Sequence, residues 1–386
     1  MIKNSRSADT GVSVCALVPY PACTSPSQRF RIEQWMPYLK SKGIEVDLIP
    51  FADDDLMAML HKPGRQTAKA VANLSRFLGR FGDAIRARRY DAVLIHRAAC
   101  IAGPATIERL IVALGRPVIY DFDDAIFKLH TTDANRRFGW LKFPGKTRAI
   151  CRISDHVVAG NSYLAEYALK HNSRVTVIPT SIDTDLYRPQ KKKPNGRVVV
   201  GWTGSSTSQT HLEMFASTIS QMLARREVEL RVISDREPIL PGIECVWQPW
   251  SPKTEVADLS GLDIGIMPIP DDEWARGKCA LKALQYMAMG VPAICSPVGA
   301  NNELVQHGDN GFLASSTEDW ISCFEALVDD SRLRTRLGSN ARLTVERRYS
   351  MKLCAELFAR VVTDTVEEHR RSERPLRSLR FFASLR

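Results

Sequence analysis

Short apolar runs rich in Val and Ile recur along the chain, and segments with the 3.6-residue periodicity of helices separate them. The runs are continuous rather than alternating, which is typical of strands that helices cover on both faces of a parallel sheet. The pattern therefore predicts an α/β architecture. We expect strands at 12–18, 44–49, 92–95, 118–120, 157–159 and 175–178 in the first half, and at 198–202, 230–233, 244–247, 262–267 and 292–295 in the second.

A change of composition divides the chain near its middle. The segment RPQKKKPNG at residues 188–196 is charged, contains two prolines and a glycine, and has no member of the apolar set. Such a segment favours a linker, so we expect two Rossmann-like domains that face one another. The predicted parts are a first domain at 1–188, a linker at 189–196, a second domain at 197–350, a helix at 351–370 and a basic tail at 371–386, where we expect Pro375 to interrupt the helix.

Composition and charge narrow the class of protein. The chain has 386 residues, 44% apolar and 25% charged, which excludes disordered, collagen-like and membrane-spanning classes. Its net charge is +10, and the stretch 62–89 carries eight basic residues against Asp83 alone, which indicates either an anionic partner or an ordinary solvated helix face. Nine scattered cysteines without a C-x-x-C pair and a polar N-terminus without a signal-peptide pattern favour a reducing cytoplasm.

Open parallel sheets bind ligands at the carboxyl ends of their strands, so the strand-to-helix junctions are where we look for a site. Gly204 and Ser205 follow the strand at 198–202 and precede a helix near Leu212. A glycine lets the backbone approach a phosphate, and the N–H groups at a helix start carry partial positive charge. Since the segment is neither G-x-G-x-x-G nor a P-loop, an ordinary tight turn is the alternative.

Basic residues begin a second helix after the strand at 262–267. Arg276 precedes Lys278 and Lys282, and the two lysines are four residues apart, so they share one helix face. Two ammonium groups beside a helix N-terminus suit a diphosphate, because cations and oriented amides stabilise a leaving phosphate. The alternative is that both lysines extend into water.

Asn301, Asn302 and Glu303 follow the short strand at 292–295. A carboxylate there can accept hydrogen bonds from the vicinal hydroxyls of a ribose or hexose. Alternatively, Glu303 only favours the dipole of the helix that begins there.

In the first half, Asp123 and Asp124 follow the strand at 118–120. Carboxylates in this pattern indicate a divalent cation on a sugar nucleotide, a carboxylate that orients an acceptor hydroxyl, or a capping turn. His96 follows the strand at 92–95 and is a second candidate, although a lone histidine at a strand end is more often structural.

Taken in chain order, these segments resemble glycosyltransferase family 4, the glycosyl transferases of group 1. The resemblance spans about residues 12–365 and is most specific at 263–305 and in the DGxxGFL-like turn at 307–313. VIPTSIDTDLYRP at 177–189 and VVAGNSYLAEYA at 157–168 are also typical of the family.

The resemblance implies the GT-B fold, in which two domains face each other across a cleft and a C-terminal helix packs back toward the first domain. It also implies the transfer of a sugar from a nucleotide diphosphate sugar to an acceptor hydroxyl with retention at the anomeric carbon. The donor would rest mainly on the second domain and the acceptor on the first. Neither a catalytic metal nor a cofactor other than the donor substrate is expected.

Two departures from the family pattern affect the expected site. The family's two glutamates, spaced E-x7-E, fall at Gly277 and Gln285, and the basic pair expected after residue 204 is replaced by His211 alone. We therefore assign the diphosphate to Lys278 and Lys282, with catalytic roles also for Asp123 and Asp124. The residues expected to bind the donor are Gly204, Ser205, Arg276, Gln285 (to the ribose), Asn301, Asn302 and Glu303.

The leading hypothesis is a glycosyltransferase for a surface polysaccharide or glycolipid. A sugar-nucleotide epimerase on the same fold and a non-catalytic nucleotide-sugar-binding protein are the alternatives, and the missing glutamates favour the latter. Binding of nucleic acid is not expected, because the basic segments lack a recognised reader motif.

Basic and aromatic residues are interleaved in three segments: the helix at 62–89, the loop at 128–148 with Phe138, Trp140 and Phe143, and the tail with Phe381 and Phe382. Such segments suit an anionic bilayer surface. We therefore expect peripheral docking to the inner membrane face, with a saccharide or lipid-linked saccharide as acceptor.

Overall fold

The structure, a computed structural model, describes residues 11–60, 66–128, 143–190 and 196–383, and within them not the side chains of residues 60, 66 and 373–383. The chain packs into two compact units. The first contains the described residues up to Gly160, Leu164–Ile178 and the described residues from Cys354 onward. The second contains Asn161–Tyr163 and the described residues from Pro179 to Leu353.

The first unit is built on a six-stranded sheet in the order β2-β1-β3-β4-β5-β6, with every neighbouring pair parallel. Its central strands β3 and β4 are buried along their whole length, as expected where helices cover both faces. The strands are β1 (Val12–Val18), β2 (Ile44–Pro50), β3 (Ala92–His96), β4 (Val118–Phe122), β5 (His156–Ala159) and β6 (Val175–Val177).

Seven helices described before the second sheet connect these strands or follow them. They are α1 (Pro26–Arg31), α2 (Met36–Ser41), α3 (Asp54–Leu60), α4 (Gln66–Arg86), α5 (Thr106–Ala113), α6 (Gly145–Ile153) and α7 (Ser162–Leu169), with short 3₁₀ turns at Glu33–Trp35 and Ala87–Arg89.

The second unit has its own six-stranded parallel sheet, in the order β12-β11-β10-β7-β8-β9. The strands are β7 (Val198–Thr203), β8 (Val228–Ser234), β9 (Val246–Pro249), β10 (Ile264–Met267), β11 (Ala293–Cys295) and β12 (Gly311–Leu313). The helices are α8 (Ser206–Met214), α9 (Ala216–Leu223), α10 (Glu255–Ser260), α11 (Glu273–Arg276), α12 (Leu281–Ala288), α13 (Ala300–Leu304), α14 (Thr317–Asp329) and α15 (Ser331–Arg348).

A last helix, α16 (Met351–Ala383), packs on the first unit from Cys354 onward, which confirms the expected return of the C-terminal helix. Phe358 lies against Trp35 with their ring centroids 5.3 Å apart, and Tyr38 donates a 2.7 Å hydrogen bond to Glu356. Past the middle of the helix, Arg370 pairs with Asp91 at 2.7 Å. Since an aromatic contact and a polar contact fix its start and an ion pair fixes its middle, the helix is anchored from its start to Arg370.

The expected interruption at Pro375 is wrong, because α16 continues to Ala383. Proline removes one backbone hydrogen bond and kinks a helix, but it does not always end one. The predicted helix at 351–370 and tail at 371–386 are thus a single helix as far as the structure describes them.

All eleven strands predicted from the apolar runs are present, with ends that differ by at most two residues. The strand β12 was not predicted, because three residues at Gly311–Leu313 are too short for a periodic signal and resemble a turn. Packing assigns residues 179–190 to the second unit, whereas the sequence placed 1–188 in the first domain, and most of the predicted linker at 189–196 lies outside the described residues.

No helix in the described part of the chain combines the length and the apolar character needed to cross a bilayer.

Close packing in the second unit depends on small residues in its strands. A Cβ built on Gly265 in β10 would lie 2.3 Å from the ring of Tyr286, a buried side chain of α12. Tyr286 also accepts a 2.8 Å hydrogen bond from the backbone N–H of Thr203, at the end of β7. The ring therefore joins two strands and cannot move aside without breaking this bond.

We expect Gly265→Ala to lower the free energy of unfolding by about 1–3 kcal/mol, because the added methyl group overpacks the core. Gly196→Ala is the matched control, since no heavy atom lies within 4 Å of a Cβ built there. Urea unfolding followed by circular dichroism measures both. Equal midpoints for the two variants would contradict the packing argument.

Candidate functional site

A turn of close backbone approach follows β7 in the second unit. A Cβ built on Gly204 would lie 2.6 Å from the ring of Trp202 and 2.7 Å from Cε of Lys282. The amide of Gly204 donates a 3.0 Å hydrogen bond to the carbonyl of Ile233 in β8. A Cβ at this position would displace the flexible lysine and clash with the buried tryptophan ring, so glycine suits the turn.

Lys282 lies in the first turn of α12 and reaches across to the end of β7. Its Nζ atom is 5.4 Å from the ring centroid of the buried Trp202, a cation–π distance. After Gly204, Ser205 is the N-cap of α8 and Ser206 begins its first turn. A cation and the positive end of a helix dipole therefore share one corner of the sheet edge, an arrangement suited to a phosphate.

A carboxylate also lies at the start of α8. Asp235, directly after β8, accepts hydrogen bonds from the backbone N–H of Ser206 at 2.5 Å and from its hydroxyl at 2.9 Å. One of the amides at this helix start therefore already has an anionic partner. Sequence reasoning missed Asp235, although its place at the carboxyl end of a strand was a usable signal.

Lys278 lies on the turn between α11 and α12, so the expectation that it shares a helix face with Lys282 is wrong, because α12 begins only at Leu281. Its Nζ atom is 5.5 Å from the ring centroid of Trp274. The buried side chain of Asn161 donates hydrogen bonds to the carbonyls of Arg276 at 3.2 Å and Lys278 at 3.1 Å. Gly299 packs on the same turn, since a Cβ built there would lie 2.5 Å from the carbonyl oxygen of Arg276. The structure thus joins the predicted segments at 263–282 and 290–303.

Arg276 already has a carboxylate partner, Asp271. The guanidinium donates to the two Asp271 oxygens at 2.7 and 3.2 Å, and both side chains are about half exposed. This hydrogen bond raises the pKa of Arg276 and lowers that of Asp271. A phosphate would compete with the carboxylate for this guanidinium.

Gln285 lies in the interior of the second unit, 4% exposed. Its amide nitrogen donates a 3.1 Å hydrogen bond to Glu255, which also accepts bonds from Trp250 at 2.9 Å and Tyr187 at 2.6 Å. The side chain is therefore part of a buried polar network. Contact with a ribose stays a prediction that this geometry does not favour.

The amides and the carboxylate of α13 make local contacts. Asn301 is buried and donates to the carbonyl of Ser296 at 2.9 Å, and Asn302 donates to that of Pro297 at 3.0 Å. The exposed Glu303 accepts a 3.2 Å hydrogen bond from the backbone N–H of Ser162. Asn302 and Glu303 are both exposed, and the carboxylate of Glu303 has acceptor capacity for a sugar hydroxyl.

Asp123 and Asp124 in the first unit bind the same arginine, Arg97. Arg97, directly after β3, donates from Nε to Asp123 at 2.8 Å and from its terminal nitrogen to Asp124. Arg97 itself has a left-handed backbone with φ of 60°, and its carbonyl accepts a 2.9 Å bond from the Tyr120 hydroxyl. The sequence did not single out Arg97, whose place at a strand end was the available signal.

A second buried network lies at the same edge of the first sheet. His96, 1% exposed, contacts Asp121 through Nδ1 at 2.7 Å and the hydroxyl of Ser27 through Nε2 at 2.9 Å. Asp121 also accepts from the buried Arg31 at 2.5 Å, and Arg31 donates to the carbonyl of Ile178 at 2.7 Å. From the sequence, Arg31 could be a surface charge or part of a ligand site. In the structure it is a buried partner of Asp121.

These arginines set the charge of the carboxylates. Burial alone would raise the pKa of Asp123, but the charge of Arg97, and then of His96 and Arg31, lowers it well below the usual range. Burial would also raise the pKa of Asp121, which Arg31 and His96 lower. Both carboxylates are therefore ionised at neutral pH, and each has a cationic partner.

The fold and this site define a class of protein. Two units, each with a parallel six-stranded sheet covered by helices, are the components of the GT-B type, and the second carries a helix start beside a lysine. A model described as Glycosyltransferase Family 4 matches residues 31–186, and one described as Glycosyl transferases group 1 matches residues 197–330. Together the two matches take in most of the chain, which belongs to this family of glycosyltransferases.

Individual relatives are distant. The D-inositol 3-phosphate glycosyltransferase of Pseudarthrobacter chlorophenolicus is 24% identical over 138 residues, 35% of this chain and 31% of that protein. The MMP alpha-(1->4)-mannosyltransferase of Mycolicibacterium hassiacum is 20% identical over 284 residues, 66% of each chain. The matches thus span about a third and just under two thirds of these curated relatives.

A solved structure supports the fold. Anabaena HepE in complex with UDP-glucose has a TM-score of 0.65 and 14% identity, and the match covers 92% of this chain and all of that one.

The arginine-paired carboxylates generate a prediction about stability and pH. Arg97→Gln leaves Asp123 and Asp124 without their shared cation, and we expect a loss of about 3–5 kcal/mol at pH 7. Because the folded pKa of Asp123 is lowered, its stabilising contribution is present above the unfolded value and is lost as pH falls through the folded value. The difference between the variant and the parent should therefore shrink below about pH 4. Urea titrations at a series of pH values measure it.

Arg174→Gln is the control for this experiment. It breaks an exposed ion pair with Glu368, in the same unit, and should cost at most about 1 kcal/mol with little dependence on pH. A pH-independent loss in Arg97→Gln would contradict the charge argument and leave only a packing effect.

Proposed function

We propose that the chain is a retaining glycosyltransferase that moves a sugar from a nucleotide diphosphate sugar to an acceptor hydroxyl without a catalytic metal. The observation that carries the proposal is the corner formed by Gly204, the start of α8 and Lys282. It lies at the carboxyl end of β7, where parallel sheets bind ligands. Anabaena HepE, which is similar in fold, was solved in complex with UDP-glucose, and this supports the same class of donor.

The chemistry explains why positive charge is needed at this corner. When the bond between the anomeric carbon and the phosphate oxygen breaks, its electrons stay on the leaving diphosphate. Preorganised cations and amides stabilise that charge more strongly in the transition state than in the bound donor. In our proposal Lys282 supplies the nearest cation, and Lys278 supplies a second one from the preceding turn.

We assign positioning roles to the carboxylates of the first unit. Asp123 and Asp124 each bond to Arg97, so they would act by holding its guanidinium at the edge of the sheet. A guanidinium fixed in this way can orient an acceptor that carries oxygen atoms. His96, bonded on both ring nitrogens, is held in a similar manner.

For the biological setting we propose the synthesis of a surface polysaccharide or glycolipid in the cytoplasm, at the inner membrane face. The acceptor would be a saccharide or a lipid-linked saccharide. The excess of basic residues supports an anionic membrane as the surface on which the acceptor is met.

A second candidate is a nucleotide-sugar-binding protein without catalysis. Gly277 and Gln285 occupy the positions of the family's two glutamates, and the amide of Gln285 is engaged with Glu255. Product analysis separates the possibilities. Transfer to an acceptor supports our proposal, an isomerised donor without an acceptor indicates an epimerase, and tight binding without turnover indicates a binder.

We expect UDP-glucose or another nucleotide diphosphate sugar to raise the melting temperature, because a ligand that binds only the native state stabilises it. A concentration of about 100 times Kd should add about 2.7 kcal/mol. Differential scanning fluorimetry across a panel of nucleotide sugars measures this. If no nucleotide sugar in the panel raises the melting temperature more than the corresponding free sugar does, donor binding is refuted.

Lys282→Ala should lower kcat/KM by roughly 10² or more, because it removes the cation at the leaving group. We expect Lys278→Ala to reduce kcat/KM in the same direction. Lys253→Ala changes an exposed lysine of the same unit and should leave the rate unchanged. Steady-state kinetics with the donor found by the thermal screen test all three. A loss below about threefold for Lys282→Ala would remove this residue from the proposed mechanism.

A further inference from the structure

The helix α4 exposes a continuous apolar stripe. Val71, Leu74, Leu78 and Ile85 are 68%, 59%, 60% and 60% exposed. Their spacing of three, four and seven residues places them on one face of the helix. Phe81, partly exposed, falls between Leu78 and Ile85 on that face. Single exposed apolar residues are normal on a protein surface, but a row of this length marks an interaction surface.

A basic cavity lies next to this stripe. It has a volume of about 420 Å³ and is lined by Phe51 of the loop after β2 and by residues of α4 that include Ser75, Gly79, Arg76 and Arg86. No heavy atom lies within 4 Å of a Cβ built on Gly79 or on Gly82, so the helix surface is open here. The cavity therefore offers space beside the apolar row.

The charges around the cavity include both signs. Arg76 pairs with Asp53, and Asp83 lies 3.2 Å from the buried Arg80 and 3.7 Å from Arg86. Arg80 is held by the carbonyls of Val18, Ile49 and Ala99, so it is a structural residue.

Beyond the cavity, the end of the helix is more strongly basic. Arg86 is 72% exposed, and the 3₁₀ turn that follows adds the exposed Arg88 and Arg89. Acidic groups on α3, Asp54 and Asp55, lie at the start of that neighbouring helix. Among the residues of this helix and turn that the structure describes, the exposed arginines thus lie mainly toward the C-terminal end of the stripe.

We propose that this face of α4 docks the protein on an anionic lipid bilayer. The apolar stripe would enter the boundary between headgroups and acyl chains, and Arg86, Arg88 and Arg89 would contact lipid phosphates. Charge complementarity favours this occupant. An exposed apolar row bordered by arginines matches a bilayer, whose acyl chains are apolar and whose headgroups are anionic. The inference rests on the proposed function only for the biological role of docking, which is to bring the enzyme to its acceptor. Lipid binding itself requires neither donor nor acceptor.

Co-sedimentation of the full-length chain with vesicles tests the proposal. We expect binding to phosphatidylglycerol and phosphatidylcholine at about 3:7 to exceed binding to phosphatidylcholine alone by about tenfold or more, and to weaken with salt. Leu74→Ser combined with Leu78→Ser should lower the partition coefficient on anionic vesicles about tenfold or more. Equal binding to the two vesicle types, or an unchanged partition coefficient in the double variant, would overturn the proposal.

Two further variants separate the apolar and the charged contributions. Ile239→Ser changes an equally exposed apolar residue, 72% exposed, in the second unit and should leave vesicle binding unchanged. Arg86→Gln combined with Arg89→Gln should weaken binding to anionic vesicles several-fold and not to neutral ones. If Ile239→Ser weakens binding as much as the leucine double variant, the stripe is not the docking face.

Other occupants of the stripe would give different results. A dimer that the leucine double variant dissociates, seen by analytical ultracentrifugation, would make the stripe a contact between copies and overturn the proposal. A fall in melting temperature with unchanged vesicle binding would mean that the chain itself covers the stripe, with the same consequence. If UDP-glucose raises the melting temperature of the leucine double variant as much as that of the parent, the variant has lost lipid docking but not donor binding. The two proposals can then fail independently.

Discussion

Parallel pairing of every strand in a sheet forces the segments that follow the strands to emerge at one edge, and both sheets of this protein obey that constraint. Residues far apart in the chain, such as Gly204, Asp235 and Lys282, become neighbours for this reason. In the first unit the same constraint gathers His96 and Arg97 with Asp121 at the end of β4 and Asp123 just after it. The polar groups of each unit therefore meet at the carboxyl end of that unit's own sheet.

The two edges differ in how their charges are satisfied. In the first unit, buried carboxylates and arginines are matched, and Asp121 alone bonds to both Arg31 and His96. Such a network is costly to break and holds its members in fixed positions. In the second unit, Lys282 lies over a tryptophan ring beside a helix start. A phosphate that approached Arg276 would compete with the carboxylate of Asp271 for its guanidinium.

Sequence pattern was sufficient where a signal is local and long. The strands observed at Val12–Val18 and Val198–Thr203 were predicted at 12–18 and 198–202, because continuous apolar runs suit strands covered on both faces. The signal failed at Gly311–Leu313, whose three residues owe their strand conformation to pairing with β11. It also failed at Pro375, where a local rule predicted an end that the helix does not have.

The order of residues by itself determined the α/β class, the strands, the junctions that carry polar groups and the family, because each of these is written in short spacings. Only the tertiary structure decided which candidate groups are engaged. It bonded Asp123 to Arg97, Gln285 to Glu255 and Arg276 to Asp271, and it left the α4 leucines exposed. The physical reason is that a side chain's hydrogen bonds, charge and exposure depend on partners distant in the chain, which a linear pattern does not contain.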